Sequence, residues 1–117
     1  MKLNHINLTV TDVLKTEAFL VKYFGLQNLR SEGDNKNMGF LFDDGQLLLS
    51  LMKGPRGGQV QYPATFHIGF GQESEEKVNE INQRLRDDGY DVALPERHHA
   101  WTFYVDAPGG FRIEVMA

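Results

Sequence analysis

Asn4-His5-Ile6-Asn7-Leu8 returns 62 residues later as Phe66-His67-Ile68-Gly69-Phe70, and this echo decides how the chain is read. A second echo runs beside it at a spacing of 64, from Gly39-Phe40-Leu41-Phe42 through Leu49-Ser50-Leu51-Met52 against Phe103-Tyr104-Val105-Asp106 through Ile113-Glu114-Val115-Met116. Self-similarity at a fixed spacing marks a repeated supersecondary unit. The 117 residues therefore read as a single domain of two modules, about 1–53 and 63–117, joined by a linker at about 54–62.

Each module opens with an alternating run, Leu3 to Val10 and Ala64 to Phe70, which predicts a half-buried strand. A helix follows each. Thr11 or Asp12 caps a stretch in which Val13, Leu14, Ala18, Val21 and Phe24 recur at helical spacing, with Gly25 at its end. In the second module Gln72 or Ser74 precedes Val78, Ile81 and Leu85, and Gly89 closes the helix. The carboxylates Glu73, Glu75 and Glu76 suit a helix N-terminus and read as a solvated face. Short strand signals end in turns at Asp43-Asp44-Gly45 and Pro108-Gly109-Gly110. The result is βαβββ twice, an α+β fold. Gly54-Pro55-Arg56-Gly57-Gly58 has linker composition, and it lacks the Lys-Ser/Thr and the following helix of a phosphate-binding loop.

Twelve Lys+Arg against sixteen Asp+Glu leave a net charge of −4, and there is no cysteine. Thiolate metal sites and cysteine nucleophiles are excluded. With no basic run, the electrostatic term that supplies most nucleic-acid and anionic-membrane affinity is missing. No apolar stretch approaches the roughly 18–20 residues of a membrane span, and the start carries no apolar leader segment. The expectation is a cytoplasmic protein with no nucleic-acid or membrane partner.

Strand alternation assigns the faces. Ile6, Leu8 and Val10 fall on one side of the first strand and His5, Asn7 and Thr9 on the other. Ile68 and Phe70 oppose His67 and Gly69. Ile113 and Val115 oppose Arg112, Glu114 and Met116. If the apolar series packs on the helices, His5, His67 and Glu114 project from the other face, with Ser50 the repeat-related counterpart of Glu114. Two imidazoles and a carboxylate form a donor set for a divalent metal with open positions. Met38, Phe40, Phe42, Leu48 and Met52 take the same face in the first module, which suits an apolar ligand part or a dimer contact. His98 and His99 are open to supporting a metal ligand or contacting substrate, but read as loop residues, of which at most one can reach this face.

At these residues the chain resembles the vicinal oxygen chelate superfamily, which includes glyoxalase I, fosfomycin-resistance thiol transferases, extradiol dioxygenases and bleomycin-resistance proteins. The marks are Leu3-Asn4-His5-Ile6 with Val10-Thr11-Asp12, Tyr23-Phe24-Gly25-Leu26, the His67 strand, and Phe103-Tyr104-Val105-Asp106 leading into Arg112-Ile113-Glu114. The resemblance implies a single glyoxalase-like domain. Its modules form a cup-shaped mixed sheet with helices on the outer face, paired within one chain or across a homodimer.

It further implies one divalent metal ion, Zn, Ni, Mn or Fe(II), on His5, His67 and Glu114. The implied enzyme is a metal-dependent lyase or isomerase, or else a thiol transferase or dioxygenase, acting on a small molecule with adjacent oxygens. Glu114 is open to a catalytic role as base if it leaves the metal. Tyr104 matches a substrate-contacting tyrosine. Arg112 is placed to bind a substrate anion or to pair with an acidic neighbour, and Asn7 and Ser50 offer neutral hydrogen bonds. Ser50 stands where glyoxalase I carries a Glu, and Ala107-Pro108-Gly109-Gly110 where the fosfomycin enzymes show Asp-Pro-Asp-Gly. The alternative is a metal-free ligand-binding protein resembling the bleomycin-resistance proteins.

Overall fold

Asp12 and Ser74 start the two helices, each accepting a hydrogen bond from a backbone N–H three residues on: Lys15 to Asp12 at 2.9 Å and Lys77 to Ser74 at 3.2 Å. These side chains satisfy donors that a helix N-terminus leaves unpaired. In the computed structural model, which describes residues 1–29, 36–55 and 59–117, they open α1 (Val13–Phe24) and α2 (Glu75–Asp87). Arg56-Gly57-Gly58 of the linker lie outside the described residues. Gly25, at φ 66°, ends α1 in the left-handed conformation that a residue without Cβ adopts at no steric cost.

The strands are β1 (His5–Val10), β2 (Gln27–Asn28), β3 (Met38–Phe42), β4 (Leu48–Lys53), β5 (His67–Gly71), β6 (Glu96–Arg97), β7 (Trp101–Asp106) and β8 (Arg112–Met116). They form two four-stranded mixed sheets in the orders β1-β4-β3-β2 and β5-β8-β7-β6. In each, the first and last strands of a βαβββ element pair in parallel and the other pairs are antiparallel. The tandem βαβββ reading therefore holds. The strands start later than the alternation suggested. Leu3 lies exposed ahead of β1, and Pro63 to Phe66 form a turn closed by Phe66 N–H to the Pro63 carbonyl at 2.9 Å, so β5 begins at His67.

The chain divides into two compact units, Met1–Tyr62 with the β7–β8 turn Pro108–Gly110, and Pro63–Ala107 with Phe111–Ala117. In the first, Leu8, Val10, Leu41, Leu49 and Leu51 are buried together with Val13, Leu20 and Tyr23 of α1. In the second, Phe103, Val105, Ile113 and Val115 are buried with Val78, Ile81 and Leu85 of α2. Each fully buried aliphatic side chain contributes roughly 1.5–3 kcal/mol. Among the described residues, no helix is long and apolar enough to cross a membrane.

The second helix buries the face its apolar spacing indicates. The first does not. Its buried residues are Val13, Thr16, Glu17, Phe19, Leu20 and Tyr23, while Leu14 and Val21 are 48% and 40% exposed and Ala18 is exposed as well. Two polar side chains turn the helix. The Thr16 hydroxyl donates to the Asp12 carbonyl at 2.6 Å and lies where a side chain on Gly109 would go. Glu17 fills the space beside Gly39 and accepts from the Asn28 amide at 3.4 Å. Once hydrogen-bonded, such groups are tolerated in a core, and the helix rolls its apolar Leu14-Ala18-Val21 stripe outward.

Candidate functional site

Strand register puts the second unit's polar groups on one face. Gly69, Glu114 and Tyr104 stand side by side across β5, β8 and β7. Alternation sends Ile113 and Val115 into the core and Glu114 to the opposite side. There its carboxylate is only 5% exposed and has partners at both oxygens. Thr102 donates to Oε1 at 2.8 Å, and His99 Nε2 lies 2.7 Å from the same oxygen. His67 Nε2 lies 3.4 Å from Oε2. Burial pushes the carboxyl pKa up. The hydrogen bond from Thr102, the charge on His99 and hydrogen bonds from Tyr104 and His99 outweigh that, and it titrates below its ordinary range.

Tyr104 completes this arrangement. Its ring meets His67 edge-on, centroids 5.6 Å apart at 85°. Its phenol pKa is raised, by burial first and then by the charge and hydrogen bond of Glu114, so its hydroxyl is held as a proton donor. Arg112 has its Nε on Asp106 Oδ1 at 2.9 Å, the ion pair that β7–β8 register makes available. His98 Nε2 lies 3.2 Å from Glu96 Oε2, both side chains exposed.

In the first unit the corresponding trio is Asn7, Ser50 and Phe40. The Ser50 hydroxyl donates to Asn7 Oδ1 at 2.8 Å and lies 3.4 Å from the Ile6 carbonyl. His5 opens β1 on the same face as Asn7, exposed, with Nδ1 3.1 Å from Asn4 Oδ1. Met38, Phe40, Phe42, Leu48 and Met52 share that face by alternation, Phe40 and Met52 being exposed.

The sequence-predicted residues thus fall into two sets. His67, Glu114 and Tyr104 are brought together in the second unit, and Asn7 with Ser50 in the first, where His5 also lies. Among the described residues, no group of three or more His, Cys, Asp or Glu side chains is arranged to hold a metal ion. The His67–Glu114 pair nonetheless fits as part of one. His67 Nδ1 lies 2.9 Å from the Thr65 carbonyl, an acceptor only, so Nδ1 carries a proton and the ring turns Nε2 toward the Glu114 carboxylate. A shared cation, a proton or a metal ion, satisfies both groups. A separation of 3.4 Å is about what two ligands each roughly 2.1 Å from one tetrahedral ion have. Anchoring of the second ring nitrogen by an oxygen is the support that metal-bound histidines have, and His5 has it too, from Asn4.

His99 is the residue that sequence reasoning left in a loop. Its only signal was adjacency to a strand of the site, since a bend at 98–100 between β6 and β7 sets its direction.

A family model for the glyoxalase/bleomycin resistance protein/dioxygenase superfamily matches residues 2–115. The chain belongs to that superfamily. Among solved structures, a possible glyoxalase from Bacillus cereus is 52% identical, with TM-score 0.90, covering 100% of this chain and 99% of that one. The fosfomycin resistance protein FosX of Listeria monocytogenes is 34% identical over 100 residues, 81% of this chain and 70% of the relative. A variant of that FosX, solved with Mn(II) and 1S,2S-dihydroxypropylphosphonic acid, superposes with TM-score 0.79 at 27% identity, covering 99% and 91% of the two chains.

Proposed function

We propose that this member of the glyoxalase superfamily is a divalent-metal-dependent enzyme of lyase or isomerase type, acting on a small molecule with two adjacent oxygens. Thiol transfer and ring cleavage are the other superfamily reactions to assay. The observation that carries this reading is His67 Nε2 facing a buried, ionised Glu114 oxygen at 3.4 Å while Nδ1 is committed to Thr65. His67 and Glu114 would hold the metal with His5, whose Nδ1 is likewise anchored, as third donor. Mn(II), Zn, Ni and Fe(II) all suit such donors, and Mn(II) accompanies the FosX relative. When bound, the metal supplies a Lewis acid that stabilises negative charge developing on the substrate oxygens.

The chain's own residues do the rest. Tyr104, hydrogen-bonded to Glu114, presents its ring and hydroxyl oxygen to the substrate beside His67. Asn7 and Ser50 supply neutral hydrogen bonds from the first unit. Arg112, half-exposed beyond its bond to Asp106, offers its terminal nitrogens to a substrate anion. Glu114 is the candidate base when it is off the metal. The relative's ligand, a diol on neighbouring carbons bearing a phosphonate, illustrates the substrate class, and we infer a homodimer as the working assembly.

Metal content by plasma mass spectrometry, after separate reconstitution with Mn, Fe(II), Ni and Zn, tests the reading. One equivalent per chain, lost in His67→Ala, is expected, followed by turnover of a substrate with adjacent oxygens. Absence of metal under every condition would sink it. The exposed Phe40 and Met52 favour a second reading, a metal-free binder of apolar ligands. Saturable quenching of Trp101 fluorescence by such a ligand, unaffected by chelator, would support it.

A further inference from the structure

We propose that His99 is a positioning residue which, together with Thr102, holds the Glu114 carboxylate by Oε1 and thereby reserves Oε2, on the His67 side, for the metal. This rests on the metal-dependent reading above and adds to it a residue that is not itself a ligand.

The argument begins with proton inventory. An ionised carboxylate only accepts hydrogen bonds, so a ring nitrogen 2.7 Å from Oε1 carries a proton. His99 Nε2 is therefore a donor to Oε1, while His67, held through Nδ1 by Thr65, turns Nε2 toward Oε2 at 3.4 Å. The two histidines flank one carboxylate at different oxygens. Thr102 adds a second donor to the same oxygen at 2.8 Å. Thr102 and His99 both engage Oε1, and Tyr104 also hydrogen-bonds the carboxylate, so Oε2, the oxygen that faces His67, is the one turned toward the metal position.

His99 is also held in place. Its side chain is 56% exposed, but the bend that carries it is tied down on both sides. His98 N–H bonds to the Ala100 carbonyl at 2.9 Å across it. Trp101 Nε1 donates to Asn79 of α2 at 2.8 Å, and the Arg97 guanidinium pairs with Glu75 of α2 and stacks 5.4 Å from the Trp101 ring centroid. Ala100, between them, is buried. A support anchored in this way orients a ligand without ordering cost at the moment of binding.

Calorimetric titration of Mn(II) into the chelator-treated full chain tests the proposal, with folding of each variant checked by thermal denaturation. His99→Ala is expected to weaken Mn(II) binding about 10- to 100-fold, the usual effect of losing a ligand's partner. His99→Gln, whose amide can donate to Oε1, is expected to restore it to within about 3-fold. Wild-type affinity in His99→Ala would overturn the proposal. So would a His99→Gln variant as weak as His99→Ala, because the imidazole would then be a ligand itself. Failure of the wild-type chain to take up Mn(II) would instead overturn the metal-dependent reading, and this proposal with it.

Discussion

The two units share one topology and one register, yet their open sheet faces differ in kind. At three matched positions the first unit has Asn7, Ser50 and Phe40, and the second has Gly69, Glu114 and Tyr104. Asn7 and Ser50 hydrogen-bond each other at 2.8 Å and present only neutral groups. Glu114 draws in Thr102 and His99 and still faces the His67 ring nitrogen. A repeated fold thus supplies equivalent backbone positions, and the residues placed on them decide which half has unspent binding capacity.

Exchanging residues between the halves is the most severe test of this contrast. Glu114→Ser, which writes the first unit's residue into the second, is expected to reduce divalent-metal affinity by more than about 100-fold, beyond the roughly 10–100-fold typical of losing only a ligand's partner. Calorimetric titration measures it, and near-normal affinity would show that the carboxylate is not a ligand. Ser50→Glu runs the exchange the other way. It puts a carboxylate into a buried position whose neighbours are the Asn7 side-chain oxygen and the Ile6 carbonyl. A cost of about 1–3 kcal/mol is expected in urea denaturation, the penalty of an ill-satisfied buried polar group.

The matched turns make a sharper comparison. Gly45 and Gly109 are repeat-related, but a Cβ on Gly109 would come within 2.6 Å of Thr16 Oγ1 and 2.7 Å of a Val10 methyl, whereas on Gly45 it would meet only Asp43 at 3.5 Å. Gly109→Ala is expected to destabilise by about 1–3 kcal/mol through overpacking and Gly45→Ala by less than about 0.5 kcal/mol. Equal midpoint shifts for the two would contradict the close packing at the second turn. The smallest effect belongs to the helices. Leu14→Gln on the outward stripe of α1 is expected to change stability by no more than about 0.5 kcal/mol, against about 2–5 kcal/mol for Leu85→Ala in α2.

Much of this was legible in the chain. The strand alternation that put Ile6, Leu8 and Val10 on one side and His5 and Asn7 on the other depends only on the two-residue period of a strand, so it survives folding. The same holds for Glu114 between Ile113 and Val115. The face of α1 was not legible, because Thr16 and Glu17 look like surface residues until their hydrogen bonds and the glycines opposite them are seen. His99 was equally hidden, since a bend has no period from which a direction can be read.

The sequence by itself determined the repeat, the βαβββ order, the helix starts to within Thr11 or Asp12 and Gln72 or Ser74, and the shared face of His67, Glu114 and Tyr104, all consequences of local periodicity and capping chemistry. Only the tertiary structure decided which side of α1 is buried, which oxygen of Glu114 Thr102 and His99 engage, and which histidine stands at each oxygen. Those outcomes depend on partners remote in the chain, Thr102 and His99 for Glu114 and Gly39 for Glu17. Distances between such groups are set by packing, which no local pattern encodes.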